Sequence, residues 1–204
     1  YKEVTYLYPP IKTDTKYFKR LGIKKEKYVY VRDISNISLN YSDSKLINYE
    51  KLFNLARKKD FKIVYDSESG KIPYKNVIEF KGIHTFEEMI AIKKFAALVI
   101  TSGDTVLRES ALLGTPVIYT SPRKMSINKK LKDNNLFETS LNEESLAKKG
   151  LKMLDPKIKK GMQKKSRDFI KGLDDATKII LKELLKWEIL ENKIKPVVEK
   201  FLQE

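Results

Sequence analysis

Short apolar runs alternate with helix-like segments from Lys27 to Ser121, and this alternation restricts the fold more than any other feature of the chain. The strand-like runs are KYVYVRDI, FKIVYDS, VIEF, LVITS and TPVIYTS, and the helix-like segments are DSKLINYEKLFNLARKKD, TFEEMIAIKKFAA and DTVLRESALLG. Parallel neighbours require crossover helices, whereas antiparallel neighbours need only a hairpin. The order therefore predicts an α/β fold, a Rossmann-like three-layer sandwich with a parallel sheet.

The flanking segments complete a predicted division into three regions. Residues 1–12, YKEVTYLYPPIK, alternate in polarity and end in two prolines, which is typical of an edge strand or linker. Residues 13–173 form the Rossmann-like domain, which turns helical beyond residue 122. Residues 174–204 place apolar side chains on a long helical stripe that Pro196 kinks or breaks. Such a stripe needs a partner surface, either its own sheet or a segment missing from this piece of the chain. Without that neighbour the stripe is expected to pack on a second copy, so a homo-oligomer is one expectation.

Composition excludes several classes of site. The chain has no cysteine, which removes disulfides, thiolate zinc sites and cysteine nucleophiles. Its single histidine, His84, argues against a histidine metal cluster or a Ser–His–Asp triad and is expected in a loop or helix cap. We therefore predict no metal and no cofactor. No apolar run approaches the roughly 20 residues of a membrane helix. We expect a cytoplasmic protein and, because the chain begins at Tyr1, a piece of a longer one.

The net charge of +15 raises the alternative of a polyanionic partner. Many of the lysines fall in helical segments such as FNLARKKD, AIKKFAA and KKGLKMLDPKIKKGMQKKSRD, a pattern typical of solvated helix faces. Enrichment in Lys and Glu also resembles thermophile proteins. No RNA-recognition or helix–turn–helix pattern is present, so nucleic-acid binding through the Lys-rich carboxyl-terminal helices is retained only as an alternative.

The segment ITSGDTVLRESALLGTPVIYTS, residues 100–121, predicts a ligand site where a strand gives way to a helix. Open α/β sheets bind ligands at the carboxyl ends of their strands, and the first amides of the next helix favour an anion. Ser102, Thr105 and Glu109 share one polar stripe at i, i+3 and i+7. The Glu109 carboxylate suits a pair of vicinal hydroxyls, as in a ribose.

Structural explanations compete with each of these assignments. Asp104 is a good helix N-cap and would satisfy the amides that a phosphate needs. Glu109 is equally suited to an ion pair with Arg108 or a nearby lysine. Arg32 and Asp33 form either a functional pair or a surface pair. Arg123 and Lys124, in TSPRKMSINKK, either neutralise a phosphate or face water.

The run LVITSGDTVLRESALLGTPVI, preceded by HTFEEMIAIKKFAA, resembles the nucleotide-sugar signature in the carboxyl-terminal domain of UDP-N-acetylglucosamine 2-epimerase and related glycosyltransferase-B proteins. The closest similarity is to a poorly characterised prokaryotic group whose run reads GGTxxREAALLGTPVI. Glu109 stands five residues before Gly114, as the glutamate of that family does before its glycine. The element order is similar over about residues 6–185, and the motif is specific over about residues 84–121.

The resemblance implies roles for individual residues. Glu109 would hold the ribose hydroxyls of UDP, Gly103, Asp104 and Thr105 would form the diphosphate loop with Ser102 beside it, and Arg32 falls near the family's basic motif. A UDP sugar is the implied ligand, and an amino-terminal domain is the implied missing partner, so these 204 residues alone are expected to be inactive.

Two departures from the family pattern define an alternative function. Asp104 stands where relatives have glycine, and RDISNIS lacks the histidine of the epimerases. The first hypothesis is therefore a nucleotide-sugar-binding domain of a glycosyltransferase or sugar epimerase. The second is a non-catalytic domain that kept the fold without the ligand.

Overall fold

The computed structural model describes residues 4–5, 7, 9, 11–34, 47–82, 84–186, 196 and 199–200. Its strands are β1 (Val4–Thr5), β2 (Tyr28–Asp33), β3 (Lys62–Ser67), β4 (Ile78–Glu79), β5 (Leu98–Thr101), β6 (Val117–Tyr119), β7 (Glu138–Thr139) and β8 (Asp174–Asp175). Its helices are α1 (Tyr17–Arg20), α2 (Glu50–Arg57), α3 (Phe86–Lys94), α4 (Asp104–Leu112), α5 (Ser126–Asp133), α6 (Glu143–Met153), α7 (Pro156–Ile170) and α8 (Ala176–Lys186). Two compact units divide the chain, one of Lys12–Arg167 and one of Tyr1–Ile11 with Asp168–Glu204.

The larger unit contains a six-stranded sheet in the order β4-β3-β2-β5-β6-β7, with every neighbouring pair parallel. The predicted α/β class and parallel sheet are confirmed. The chain builds outward from β2 through β3 to β4, and then returns to place β5 on the other side of β2. The junction of β2 and β5 is therefore the point at which the strand order reverses, where open α/β sheets bind ligands.

Helices cover both faces of this sheet. On one face Val29 and Val31 of β2 pack in a buried cluster with Leu52 and Phe53 of α2 and with Leu146 of α6. Side chains alternate along a strand, so the neighbouring positions point to the opposite face. There the hydroxyl of Tyr28 donates a hydrogen bond to the Ile92 carbonyl of α3 at 2.8 Å. This arrangement is the predicted three-layer sandwich.

The ends of the helices show how local chemistry places them. Thr85 and Glu88 form a reciprocal capping box at the start of α3. The start of α2 was predicted at Asp43, which lies outside the described residues, but residues 47–49 are irregular and the helix begins at Glu50. The Asn48 side chain accepts a hydrogen bond from the Glu50 amide at 2.9 Å, a local turn that competes with helix.

Gly114 ends the turn after α4 and is restricted to glycine for two reasons. Its φ of +71° lies in the left-handed region, and an added Cβ would lie 2.7 Å from the Cα of Gln163 in α7. The LGTP motif therefore both stops α4 and allows α7 to approach closely.

In the smaller unit, β1 pairs with β8 in parallel, with Val4 opposite Asp174 and Thr5 opposite Asp175. The predicted carboxyl-terminal helix begins at Ala176, and its apolar stripe is exposed at Ile180 (58%) and Leu184 (44%). The rest of the predicted stripe, at residues 187–195, 197–198 and 201–204, lies outside the described residues. Packing of this stripe on a second copy stays a prediction. None of the helices described is long and apolar enough to cross a bilayer.

Candidate functional site

A pocket of about 450 Å³, here called the elbow pocket, opens where β5 gives way to α4 beside the end of β2. It is lined by Arg32, Ile34, Glu68, His84, Phe86, Met89, Lys93, Gly103, Asp104, Thr105, Val106 and Glu109. Five of the predicted site residues meet there, since Arg32 comes from β2 and the other four come from the elbow and α4. The pocket lies at the reversal point of the strand order, so the fold and the motif indicate the same place.

Gly103 occupies the N-cap position of α4 and brings the backbone close to its neighbours. Its amide donates to the Thr101 hydroxyl at 2.9 Å, and an added Cβ would lie 2.3 Å from Cδ1 of Ile34. Gly103 has no side chain with which to cap the helix. The start of α4 therefore presents backbone amides and the positive end of the helix dipole at the elbow pocket.

Asp104 is the first helical residue rather than the N-cap that its sequence position favours. Its buried carboxylate accepts hydrogen bonds from the Tyr119 hydroxyl at 2.9 Å and from Nδ2 of Asn128 at 2.8 Å. Arg123 Nη1 lies 3.3 Å from the same carboxylate. The negative charge that opposes a phosphate is thus partly compensated by a guanidinium and two neutral donors.

Glu109 lines the elbow pocket and forms an ion pair with Lys93 of α3. Both side chains are buried, with 7% of Glu109 and 3% of Lys93 exposed. The spacing in AIKKFAA predicts a solvated lysine at position 93, and this prediction is wrong because the ammonium is needed to compensate a buried carboxylate. The sequence pattern predicts, as an alternative to ligand binding, an ion pair between Glu109 and a nearby lysine. That ion pair is present, and it is buried rather than on the surface.

Arg32 is held at the end of β2 by its neighbour in the sheet. Its guanidinium pairs with Asp66 of β3, which lies opposite it in the strand register. The other oxygen of Asp66 accepts a hydrogen bond from the Tyr30 hydroxyl at 2.6 Å, and burial with this carboxylate raises the pKa of Tyr30. The positive charge of Arg32 is therefore fixed at the rim of the elbow pocket.

Ser102 does not line the elbow pocket. Its hydroxyl accepts from the Ile34 amide at 3.1 Å and donates to Asp33 at 3.4 Å. Asp33 also receives hydrogen bonds from Tyr65 at 2.8 Å and Tyr49 at 3.5 Å. Burial raises the pKa of Asp33 and these hydrogen bonds oppose the rise. Ser102 thus joins a network that ties the ends of the strands together.

Arg123 and Lys124 lie on a second pocket of about 450 Å³, here called the basic pocket. Its cationic side chains are those of Arg123, Lys124, Lys129 and Lys132, and its other main side chains are those of Tyr119, Asn128 and Phe137. Asp104 lines the elbow pocket and contacts Tyr119, Arg123 and Asn128, so it lies between the two pockets. The structure therefore does not gather all the predicted phosphate contacts on one pocket.

His84 adds an aromatic wall to the elbow pocket. Its ring stacks on Phe80 with 3.9 Å between centroids, and its Nε2 lies 3.2 Å from the Lys81 carbonyl. It precedes the Thr85 cap of α3, in agreement with the expected loop position. Phe86 lines the same pocket and is 54% exposed.

Sequence patterns did not identify several residues of the elbow pocket, among them Glu68, Phe86, Met89 and Lys93. The only local signal was the capping box, which fixes the start of α3 and hence the direction of Phe86. Lys93 carried no usable signal, because its burial depends on Glu109 sixteen residues later. Within the described residues, no group of three or more His, Asp or Glu side chains could hold a metal ion.

Comparison with known families identifies a match over residues 8–188 to the family described as Protein of unknown function (DUF354). The chain belongs to this family, since the match covers most of its length. A search of curated protein sequences found no significant match.

Solved structures share the fold at low sequence identity. The UDP-GlcNAc 2-epimerase of Methanocaldococcus jannaschii in complex with UDP-GlcNAc and UDP matches 76% of this chain and 48% of its own, with 15% identity and a TM-score of 0.54. The spinosyn forosaminyltransferase SpnP matches 91% of this chain and 46% of its own, with 14% identity and a TM-score of 0.53. S. aureus MnaA with UDP matches 75% and 43%, with 11% identity and a TM-score of 0.52. The chain shares the fold of part of each of these proteins and spans about half of their length.

Proposed function

We propose that this member of the DUF354 family binds a nucleotide sugar, in particular a UDP sugar, in the elbow pocket. The observation that carries the proposal is the meeting of the uncapped start of α4, Glu109 and Arg32 on one pocket at the reversal point of the sheet. The diphosphate would rest on the loop of Gly103, Asp104 and Thr105, where the amides of Asp104 and Thr105 would donate to it, with Arg32 nearby. The ribose hydroxyls would donate to Glu109.

The ion pair with Lys93 is compatible with this role for Glu109. A carboxylate has about four acceptor sites, and Lys93 contacts one oxygen, Oε2. Fixing the carboxylate before the ligand arrives reduces the side-chain entropy that binding would cost. The fold shared with UDP-bound proteins supports the same assignment.

In the complete protein we propose glycosyl transfer or sugar epimerisation. The half-length match to the solved structures supports a contribution from further residues. The part described here would hold the nucleotide, and the reacting groups would come from a second domain. The described elbow pocket shows no triad or metal cluster that would perform the reaction by itself.

The test is calorimetric titration of UDP and of 2′-deoxy-UDP into the wild-type chain and into Glu109→Gln. Wild type should prefer UDP, because only the ribose offers two hydroxyls to the carboxylate. Glu109→Gln should weaken UDP binding by about 10- to 100-fold and narrow the preference over the deoxy form. Glu144→Gln, an exposed carboxylate outside the elbow pocket, serves as the matched control and should bind like wild type.

Removing Glu109 leaves the Lys93 ammonium buried, so a folding defect must be separated from a binding defect. The double variant Glu109→Gln/Lys93→Met removes both charges and should fold while still binding UDP weakly. Equal UDP affinity in wild type and both variants would contradict the proposal.

A second candidate is a domain that kept the fold without the ligand. Two observations favour it: Glu109 already forms an ion pair with Lys93, and the Asp104 carboxylate places a negative charge at the elbow, where a phosphate would bind. It predicts no rise in the melting temperature of the wild-type chain with UDP or UDP-N-acetylglucosamine. The first candidate predicts a rise that grows with ligand concentration.

A further inference from the structure

We propose that the basic pocket is a second binding site, separate from the elbow pocket, and that it takes a sugar phosphate. The phosphate would lie at the start of α5 among lysine side chains, and a sugar hydroxyl would donate to Asn128. This inference does not depend on nucleotide binding at the elbow.

An unsatisfied buried acceptor defines one end of this site. Asn128 is only 5% exposed and lines the basic pocket, and its Oδ1 has no hydrogen-bond partner within the described part of the chain. Its orientation is set by Nδ2, which donates to Asp104 at 2.8 Å. Buried acceptors are almost always paired with protein or with ordered water, so Oδ1 can accept a hydrogen bond from a donor outside the protein. A phosphate cannot supply one when fully ionised, whereas a hydroxyl can.

Positive charge defines the other end. Arg123, Lys124, Lys129 and Lys132 line the basic pocket, and none of the described residues around it contributes a carboxylate to its wall. Asp104 offsets Arg123 at 3.3 Å, which leaves the attraction for an anion to the three lysines. The eight-residue helix α5 starts at Ser126 on this pocket, and its N-cap residue, Met125, makes no side-chain cap hydrogen bond. Its first amides add to the attraction for an anion.

The wall between these ends is apolar. Tyr119 and Phe137 meet edge to face, with 6.4 Å between ring centroids, and Leu141 beside them is 53% exposed. An apolar wall with a few polar contacts is typical of small-molecule pockets, and a volume of about 450 Å³ is within their range. The C–H face of a sugar ring fits such a wall and would cover the exposed part of Leu141.

The first experiment compares three probes by calorimetric titration of the full chain: glucose 1-phosphate, inorganic phosphate and glucose. Glucose 1-phosphate should bind most tightly, because it alone supplies both the anion and the hydroxyl. In Asn128→Ala the affinity for glucose 1-phosphate should fall to that for inorganic phosphate, whose own affinity should not change. Equal binding of glucose 1-phosphate and inorganic phosphate by wild type would overturn the role of Asn128.

A matched pair of variants tests the charge. Lys129 lines the basic pocket and its neighbour Lys130, on the same helix, does not. Lys129→Ala should weaken glucose 1-phosphate binding by about two- to fivefold, whereas Lys130→Ala, with the same loss of charge, should leave it unchanged. Equal losses in the two variants would show a diffuse effect of net charge and overturn the site. These surface variants keep the test decisive if Asn128→Ala folds poorly.

Competition separates this site from the elbow pocket. Saturating UDP should leave glucose 1-phosphate binding intact, and so should Glu109→Gln. If UDP displaces glucose 1-phosphate and Glu109→Gln binds glucose 1-phosphate more weakly than wild type, the sugar phosphate binds at the elbow pocket and the proposal is overturned. A chain that binds glucose 1-phosphate but no UDP would support the basic pocket and contradict only the proposed nucleotide site.

Discussion

Lys93 is the residue whose role differs most between the sequence pattern and the structure. It lies in an apolar helix segment, is 3% exposed, and pairs with Glu109 across the contact between α3 and α4. A buried ion pair contributes little net stability compared with an apolar pair of the same size, but removal of one partner is costly. The pair therefore holds a carboxylate in place at the elbow pocket while adding little net stability.

Lys93→Met should lower the free energy of unfolding by about 3–5 kcal/mol, because it leaves the Glu109 carboxylate buried without its lysine. The double variant Lys93→Met/Glu109→Gln should recover most of this loss. Lys94→Met is the control, since the Lys94 ammonium lies 5.8 Å from the centre of the Phe95 ring and pairs with no buried carboxylate among the described residues. This variant should cost less than about 1 kcal/mol. Urea unfolding measures all three, and similar losses for Lys93→Met and Lys94→Met would contradict the buried pair.

At the scale of elements, the packing of α6 on α2 fixes one covering layer of the sheet. Gly150 of α6 lies against Leu52 of α2, and an added Cβ would lie 2.6 and 2.7 Å from the two Leu52 methyl carbons. Leu52 is itself buried in the main core cluster and has little room to move. The sequence gives no sign of this contact, because a glycine inside a helix reads only as a weak point.

Gly150→Ala should destabilise the protein by about 1–3 kcal/mol through overpacking, despite a gain of about 1 kcal/mol in helix propensity. Gly161→Ala in α7 offers a matched comparison, since nothing lies within 4 Å of its added Cβ. Gly161→Ala should raise the free energy of unfolding by about 0.5–1 kcal/mol. Thermal unfolding of both variants measures the difference, and stabilisation by Gly150→Ala would show that the two helices are not closely packed.

At the scale of the whole molecule, buried phenols make stability depend on pH. Burial is the main cause of a raised pKa in Tyr17, Tyr28, Tyr30, Tyr49, Tyr65 and Tyr74. Carboxylates beside several of them add to the rise, as Asp33 does for Tyr65. Lys159 acts in the opposite direction, because burial lowers its pKa while Glu26 opposes the change.

We expect the free energy of unfolding to fall as pH rises above about 10, the pKa of a tyrosine in the unfolded chain. There the unfolded state has released protons that the folded state retains, so each buried tyrosine costs about 1.4 kcal/mol per pH unit. Lys159 acts at lower pH: its folded form releases its proton first, so its contribution rises with pH only up to about 10.4, the pKa of a lysine in the unfolded chain, and does not offset the loss above that pH. Tyrosinate absorbance from the buried phenols should appear together with the loss of circular dichroism. Full ionisation in a chain that is still folded would contradict this prediction.

The sequence by itself determined the order of strands and helices, the parallel sheet and the position of the elbow, because these follow from periodicity, caps and turn residues that act over a few neighbours. Tertiary structure decided what the elbow residues touch. Glu109 pairs with Lys93, and Asp104 accepts a hydrogen bond from Asn128. Ser102 donates to Asp33 and does not line the elbow pocket, and the two-residue strand β7 pairs with β6. These outcomes depend on burial and charge compensation between residues far apart in the chain, which no local pattern records.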